Sequence, residues 1–220
     1  MIKYLKEQNR FKETLFLGFI ALTCLGLSLS RITYSGSIRL FFLNWNLFLA
    51  FIPWALTSLA CISPRIKKNK ILLLLILVSW LLFFPNAPYI LTDLFHLNSR
   101  SSIPIWFDLI LILSFAWTGL VFGFLSLLDI EKLLYKNSKI SGLLSTLLIF
   151  IASFGIYLGR YLRWNSWDII SEPFNLLYDI SDRIINPLAH PRTWGVTLLM
   201  GLFLNIIFWS FKLIIARKNL

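Results

Sequence analysis

Apolar residues run almost unbroken through six stretches of this 220-residue chain, at about Thr14 to Ser30, Leu40 to Ile62, Ile71 to Leu91, Pro104 to Leu128, Ile140 to Leu158 and Trp194 to Ala216. A hydrocarbon layer about 30 Å thick asks for about 20 apolar residues per helix, because only a helix satisfies its own backbone polar groups in lipid. Each stretch qualifies. The pattern predicts an all-α, polytopic membrane protein, a six-helix transmembrane bundle forming one integral-membrane domain over residues 1–220. Charge enters the stretches only at their ends, as Asp108 in the first turn of the fourth and Lys212 in the last turn of the sixth, where a long stem can snorkel. The first stretch follows basic residues, but it has no small-residue cleavage pattern and is read as a helix, not a secretory signal.

The one long connection, residues 159–193, carries a different period. Phe174, Leu177, Ile180, Ile184 and Ile185 recur at helical spacing, while Asp179, Asp182 and Arg183 take the other face. This predicts an amphipathic interfacial helix, lying on the membrane surface or folding over nearby polar groups.

Composition agrees. Hydrophobic residues make up 58% and charged residues 14%, with 20 Phe and 9 Trp and a mean hydropathy of +0.76. That is too little charge to cover a soluble fold, and it excludes disordered tails and disulfide scaffolds as well. Cys24 and Cys61, inside or at the end of apolar stretches, are expected to be small packing residues. The net charge of +11 is divided unevenly: 14 of the 21 Lys and Arg residues, including every Lys, fall on the side that holds both termini. Short basic loops stay in the cytoplasm, so both termini are expected there, in a bacterial inner membrane. That account of the charge leaves no reason to expect a nucleic-acid partner. The opposite side has Arg alone, interleaved with Asp and Glu, and Arg is the residue whose planar fork fits carboxylate or phosphate.

Three segments put polar groups where lipid makes them costly, which marks them as functional candidates. In FFPNAPYILTDLFHL, Pro85 and Pro88 remove two backbone donors and disfavour helix at Phe84 and Ala87, so the third span is expected to break. The break would turn Asn86 and Tyr89 into a cavity and set Asp93 and His96 three residues apart. In GRYLRWNSWD, Arg160 and Arg163 would share a helical face as an anion fork, with Asn165 and Asp168 beside them and Trp164 and Trp167 at headgroup level. In LNWNLFLAFIPW, Asn44 and Asn46 enter the second span, with bonding to a neighbouring helix the plainer role. Asp108, a lone carboxylate at the start of the fourth span, would want Arg160, Arg163 or a metal as its partner. The His and carboxylate spacing matches no standard metal site, and neither metal nor cofactor is expected. No Walker loop, GxSxG elbow or HExxH helix is present.

NWNLFLAFIPW, FFPNAPYILTDLFHL and GRYLRWNSWD together resemble the hallmark blocks of a bacterial integral-membrane family catalogued as domain of unknown function 1361. The resemblance covers nearly the whole chain. It implies a multi-span inner-membrane protein and carries no activity or residue roles.

These residues suggest a pocket lined by Asn44, Asn46, Asn86, Tyr89, Arg160, Arg163, Asn165 and Asp168, binding an anionic or lipid-linked envelope substrate, with Asp93, His96 or Asp108 as general acid or base if the protein is an enzyme. Membrane lipid is the expected partner. The alternatives are a transporter or channel component and a non-catalytic assembly subunit.

Overall fold

The computed structural model describes residues 10–97, 103–134 and 138–217, and every element among them is helical. In chain order these are α1 (Phe11–Ser35), α2 (Phe42–Ile62), α3 (Pro64–Lys68), α4 (Lys70–Phe83), α5 (Asn86–Tyr89), a 3-10 segment (Ile90–His96), α6 (Ile105–Leu134), α7 (Ser138–Tyr161), α8 (Asp168–Ser171), α9 (Pro173–Ile185), a 3-10 turn (Pro187–Ala189) and α10 (Pro191–Arg217). Among the described residues, six helical stretches are long and apolar enough to cross a membrane, the third being the composite Lys70–His96. The chain divides into two compact units, Met1–Leu133 and Leu134–Leu220.

In the first unit α6 is the central helix: 67% of its apolar window is buried, against 22% for α1 and for Lys70–His96. Leu111, Ile112, Phe115 and Ala116 of α6 meet Leu43, Leu47, Ala50 and Trp54 of α2, Leu17 and Cys24 of α1, and Ala87 and Ile90 from the interrupted span. α4 buries only Trp80 and exposes Ile71, Leu74, Leu75 and Val78, the face a span presents to lipid. Two glycines bring the interrupted span close. A Cβ on Gly119 would lie 2.7 Å from the Ala87 carbonyl oxygen, and one on Gly123 would lie 2.8 Å from the Ala87 Cβ. This G-x-x-x-G stripe is the small-residue contact that lets two spans approach without a hydrophobic drive between them.

The break in the third span is milder than the two prolines predict. Phe84 and Pro85 form a turn, yet both keep right-handed helical dihedrals, and Ala87 lies inside α5. Residues before proline ordinarily prefer extended backbone, but here the Ala87 N–H takes the Phe84 carbonyl at 3.1 Å, the acceptor that Pro88 cannot serve, and the chain stays helical. The Asn86 amide donates to the freed Phe83 carbonyl at 2.9 Å, so its side chain serves its own backbone.

In the second unit α7 and α10 run antiparallel, with Phe154 stacked on Trp194, Phe150 beside Gly201 and Gly142 beside Trp209. Between them α9 has the predicted amphipathic pattern, with Phe174, Leu177, Tyr178, Ile184 and Ile185 exposed.

Candidate functional site

In the first unit the structure joins some of the expected residues. The 3-10 geometry of Ile90–His96 has three residues per turn, so Asp93 and His96 share a face as expected. Asp93 is only 1% exposed, and its Oδ2 accepts from the Asn46 amide at 2.8 Å. His96 is exposed and sets its ring edge-on to Phe42 with centroids 5.1 Å apart, while its carbonyl accepts from Arg39 at 3.4 Å. Asn44, two residues from Asn46, donates to Ser28 of α1 at 2.8 Å and to the Phe41 carbonyl, which is the helix-to-helix role expected of it.

Asp108 has a different partner from the expected one. Arg31, at the end of α1, grips it from two nitrogens, Nε to Oδ1 at 2.8 Å and Nη2 to Oδ2 at 3.2 Å, and gives a third bond to the Ser37 carbonyl at 3.3 Å. Both side chains are buried. A bidentate guanidinium occupies both carboxylate oxygens, so Asp108 is better placed to clamp α1 to α6 than to move a proton.

A second clamp joins the other ends of the same two helices, at residues outside the three polar segments. Arg10 pairs with buried Asp129, whose Oδ2 also accepts from Thr57 at 3.1 Å, and Trp54 Nε1 donates to Glu13 at 2.8 Å. Midway, Cys24 Sγ and Thr118 Oγ1 lie 3.3 Å apart. The signal was present: Arg10 and Arg31 are 21 residues apart, and so are Asp108 and Asp129. Equal spacing on two helices running oppositely lets each Arg meet an Asp.

In the second unit Arg160 and Arg163 do not share a helical face. α7 ends at Tyr161, and Arg163 stands in the left-handed region at φ 64°, the only non-glycine residue with positive φ among the described residues. The turn forms because the Trp164 N–H returns to the Leu158 carbonyl at 3.2 Å. Such backbone is costly for a residue with a Cβ, and it leaves the Arg163 side chain exposed. Asn165 and Asp168 do meet: Asp168 Oδ2 accepts from the Asn165 N–H at 2.6 Å and from its amide at 3.1 Å, which starts α8.

The polar face of α9 is fastened by residues not among the candidates. Trp164 Nε1 donates to Asp179 Oδ2 at 2.7 Å, while buried Arg183 donates to Asp179 Oδ1 at 2.9 Å and to its carbonyl at 2.7 Å. The His190 ring donates to Asp182 Oδ2 at 2.7 Å, and Asn186 donates to Oδ1 at 2.9 Å. Those bonds from Asn186 and His190, helped by the charges of His190 and Arg183, hold the Asp182 carboxyl below its ordinary range. Trp194 closes the network on the Arg183 carbonyl at 3.2 Å.

Six membrane-length apolar helices with charge confined to their ends define a multi-pass membrane protein. The family is shown by its own model: residues 45–207 match the family described as "Protein of unknown function (DUF1361)", and the chain belongs to it. The match runs through both units and includes two of the polar segments whole and the third from Trp45 onward, with Asn44 just outside it. No curated protein and no solved structure matches the chain.

Proposed function

We propose that this protein binds an anionic lipid headgroup, or a lipid-linked envelope intermediate carrying one, at the connection between α7 and α10. The observation that carries the reading is the pairing of exposed Arg163, held in left-handed backbone, with the Trp164 anchor that fastens amphipathic α9 by Asp179. An apolar face for the acyl region and a guanidinium for the phosphate are then fixed by adjacent residues. Arg160 and Arg163 supply the anion contacts, with Asn165 and Asp168 shaping the turn. Asn44, Asn46, Asn86 and Tyr89 belong to the polar segments of the first unit. If a reaction follows binding, Asp93 and His96 are the proton-handling candidates, and Asp108 serves α1 and α6. The distribution of Lys supports a cytoplasmic membrane with both termini inside, which puts the α7–α10 connection on the outer face.

A transporter reading draws on one observation: the third span is interrupted and bears a carboxylate, Asp93, that is buried and held by Asn46. Native mass spectrometry of the full chain in mild detergent separates the two. An anionic or polyprenyl lipid that co-purifies with wild type and is lost in the Arg160→Ala/Arg163→Ala variant supports headgroup binding. Equal retention of the same lipids by both proteins overturns it and moves the transporter reading ahead.

A further inference from the structure

Among aromatic and aliphatic contacts, α7 and α10 each carry a stripe of small polar residues. On α10, Thr193, Thr197, Gly201 and Asn205 recur every fourth residue, which places them on one face, and Gly201 on that face meets Phe150 of α7. On α7, the buried residues Ser141, Ser145 and Ser153 follow the same fourfold spacing, with Ile149 among them. A polar stripe alone is compatible with hydroxyls bonded back to their own helix, as Ser153 is to the Ile149 carbonyl at 2.9 Å.

The α10 stripe is different. Thr193 Oγ1, Thr197 Oγ1 and Asn205 Oδ1 are all buried and have no hydrogen-bond partner among the described residues. Asn205 spends its amide N–H on the Gly201 carbonyl at 2.8 Å, which leaves its oxygen in the seam. At the same end as Thr193, Arg183 Nε is also buried without an acceptor, and the Trp194 bond to the Arg183 carbonyl ties that turn of α9 to the first turn of α10. The three oxygens thus share one face of α10 over about 18 Å from Thr193 to Asn205 at 1.5 Å per residue, with the Arg183 donor on α9 at the Thr193 end. Leaving such groups dry at membrane depth is costly, and no lipid tail can relieve it.

We propose that the α7–α10 seam binds water, in two groups separated by Phe150. The outer group is held by Arg183 Nε, Thr193 Oγ1 and Thr197 Oγ1, and the inner group by Asn205 Oδ1. Phe150 is the divider because its ring fills the notch left by the missing side chain of Gly201, between Thr197 and Asn205. The ligand class follows from the atoms. Isolated neutral oxygens 4 and 8 residues apart cannot converge on one metal ion, whereas water needs only a few donors or acceptors per molecule and can both give and accept. The aromatic divider lets the seam be wet without a continuous polar column.

Radiolytic footprinting tests this, since X-rays split bound water in place and oxidise side chains next to it, while radicals made in bulk solvent mark exposed ones. The full chain in detergent is irradiated, and oxidation is read at Phe208 and Tyr157, which are buried, with exposed Trp167 as the surface control. The expected result is oxidation of Phe208 and Tyr157 by X-rays and not by peroxide photolysis. The Thr193→Val/Thr197→Val/Asn205→Leu variant should lose it several-fold with Trp167 unchanged. X-ray oxidation confined to Trp167 in wild type overturns the proposal. A second variant guards against misfolding of the first: Thr197→Val alone removes an orphan hydroxyl from a dry seam and raises the melting temperature, which overturns the proposal, whereas no rise supports a hydroxyl already paired with water.

Discussion

Replacing Asp108 by Asn separates a structural clamp from a catalytic carboxylate. The shape is kept, Arg31 retains one acceptor of the two it now holds at 2.8 and 3.2 Å, and its charge is left buried without a counter-ion. Breaking a buried pair from one side costs about 3–5 kcal/mol, because the penalty is the stranded charge and not the lost attraction. The bond from Arg31 to the Ser37 carbonyl survives and spreads some of that charge, which argues for the lower part of the range, about 3 kcal/mol. For a chain of this size that is a fall of roughly 6–12 °C in melting temperature. Removing both partners, as Arg31→Leu/Asp108→Leu, strands nothing and should recover most of the loss, within about 1 kcal/mol of wild type. The assay is thermal unfolding of the purified protein in detergent, followed by tryptophan fluorescence, on wild type, both single variants and the double. An Asp108→Asn protein that melts with wild type, or a double variant that falls as far as the sum of the singles, would refute the clamp and return Asp108 to the candidates for chemistry.

Two further outcomes follow from contacts described above. Gly119→Ala gains up to about 1 kcal/mol of helix propensity but must push its Cβ off the Ala87 carbonyl oxygen, an overpacking cost of about 1–3 kcal/mol, so it should be net destabilising in the same melt. Gly26→Ala, with nothing within 4 Å, meets no such cost, and equal melting of the two would remove the close approach of α6 to α5. The Asp182 carboxyl is held below its ordinary 3.8, so its contribution to fastening α9 is present above that value and is lost as the pH falls below it. Protection against hydrogen exchange across residues 173–190, taken relative to the intrinsic rate at each pH, should therefore fall on acidification below pH 3.8 in wild type, and a matching fall in Asp182→Asn would show that another group is responsible.

The spans were legible because lipid leaves the backbone a single solution, and the six stretches in the structure match the apolar runs, with the first, third and fourth extended to Phe11–Ser35, Lys70–His96 and Ile105–Leu134. The helix α9 was legible for a related reason, since its period sorts Phe174, Leu177 and Ile184 from Asp179, Asp182 and Arg183. Partners were harder. Asp108 was recognisable as a carboxylate needing a cation, but proximity in the sequence favoured no particular Arg, and Arg31 comes from a helix 77 residues away. The α7 terminus was misjudged at Arg163 because Gly159 and Asn165 bracket a turn whose position depends on the Trp164 N–H reaching back to Leu158, which no local pattern records. The prolines at 85 and 88 were read correctly as an interruption and wrongly as a change of backbone region, since packing of Ala87 against Gly119 and Gly123 favours a compact helical path.

The two clamps between α1 and α6 also set a length. Arg10 to Arg31 and Asp108 to Asp129 are each 21 residues, or about 31 Å of helix, and a typical hydrocarbon layer is about 30 Å thick. The protein therefore carries a rigid gauge of bilayer thickness, with an ion pair at each end and Cys24 against Thr118 between them. In a matched bilayer both pairs sit at the boundary, where charge is tolerated. A thicker bilayer draws one pair into hydrocarbon or forces α1 and α6 to thin the lipid around them, and tilting the pair only deepens the cost because it shortens the span further. Membrane thickness would thereby act on the two ion pairs that join α1 to α6, making the surrounding lipid tails part of their stability.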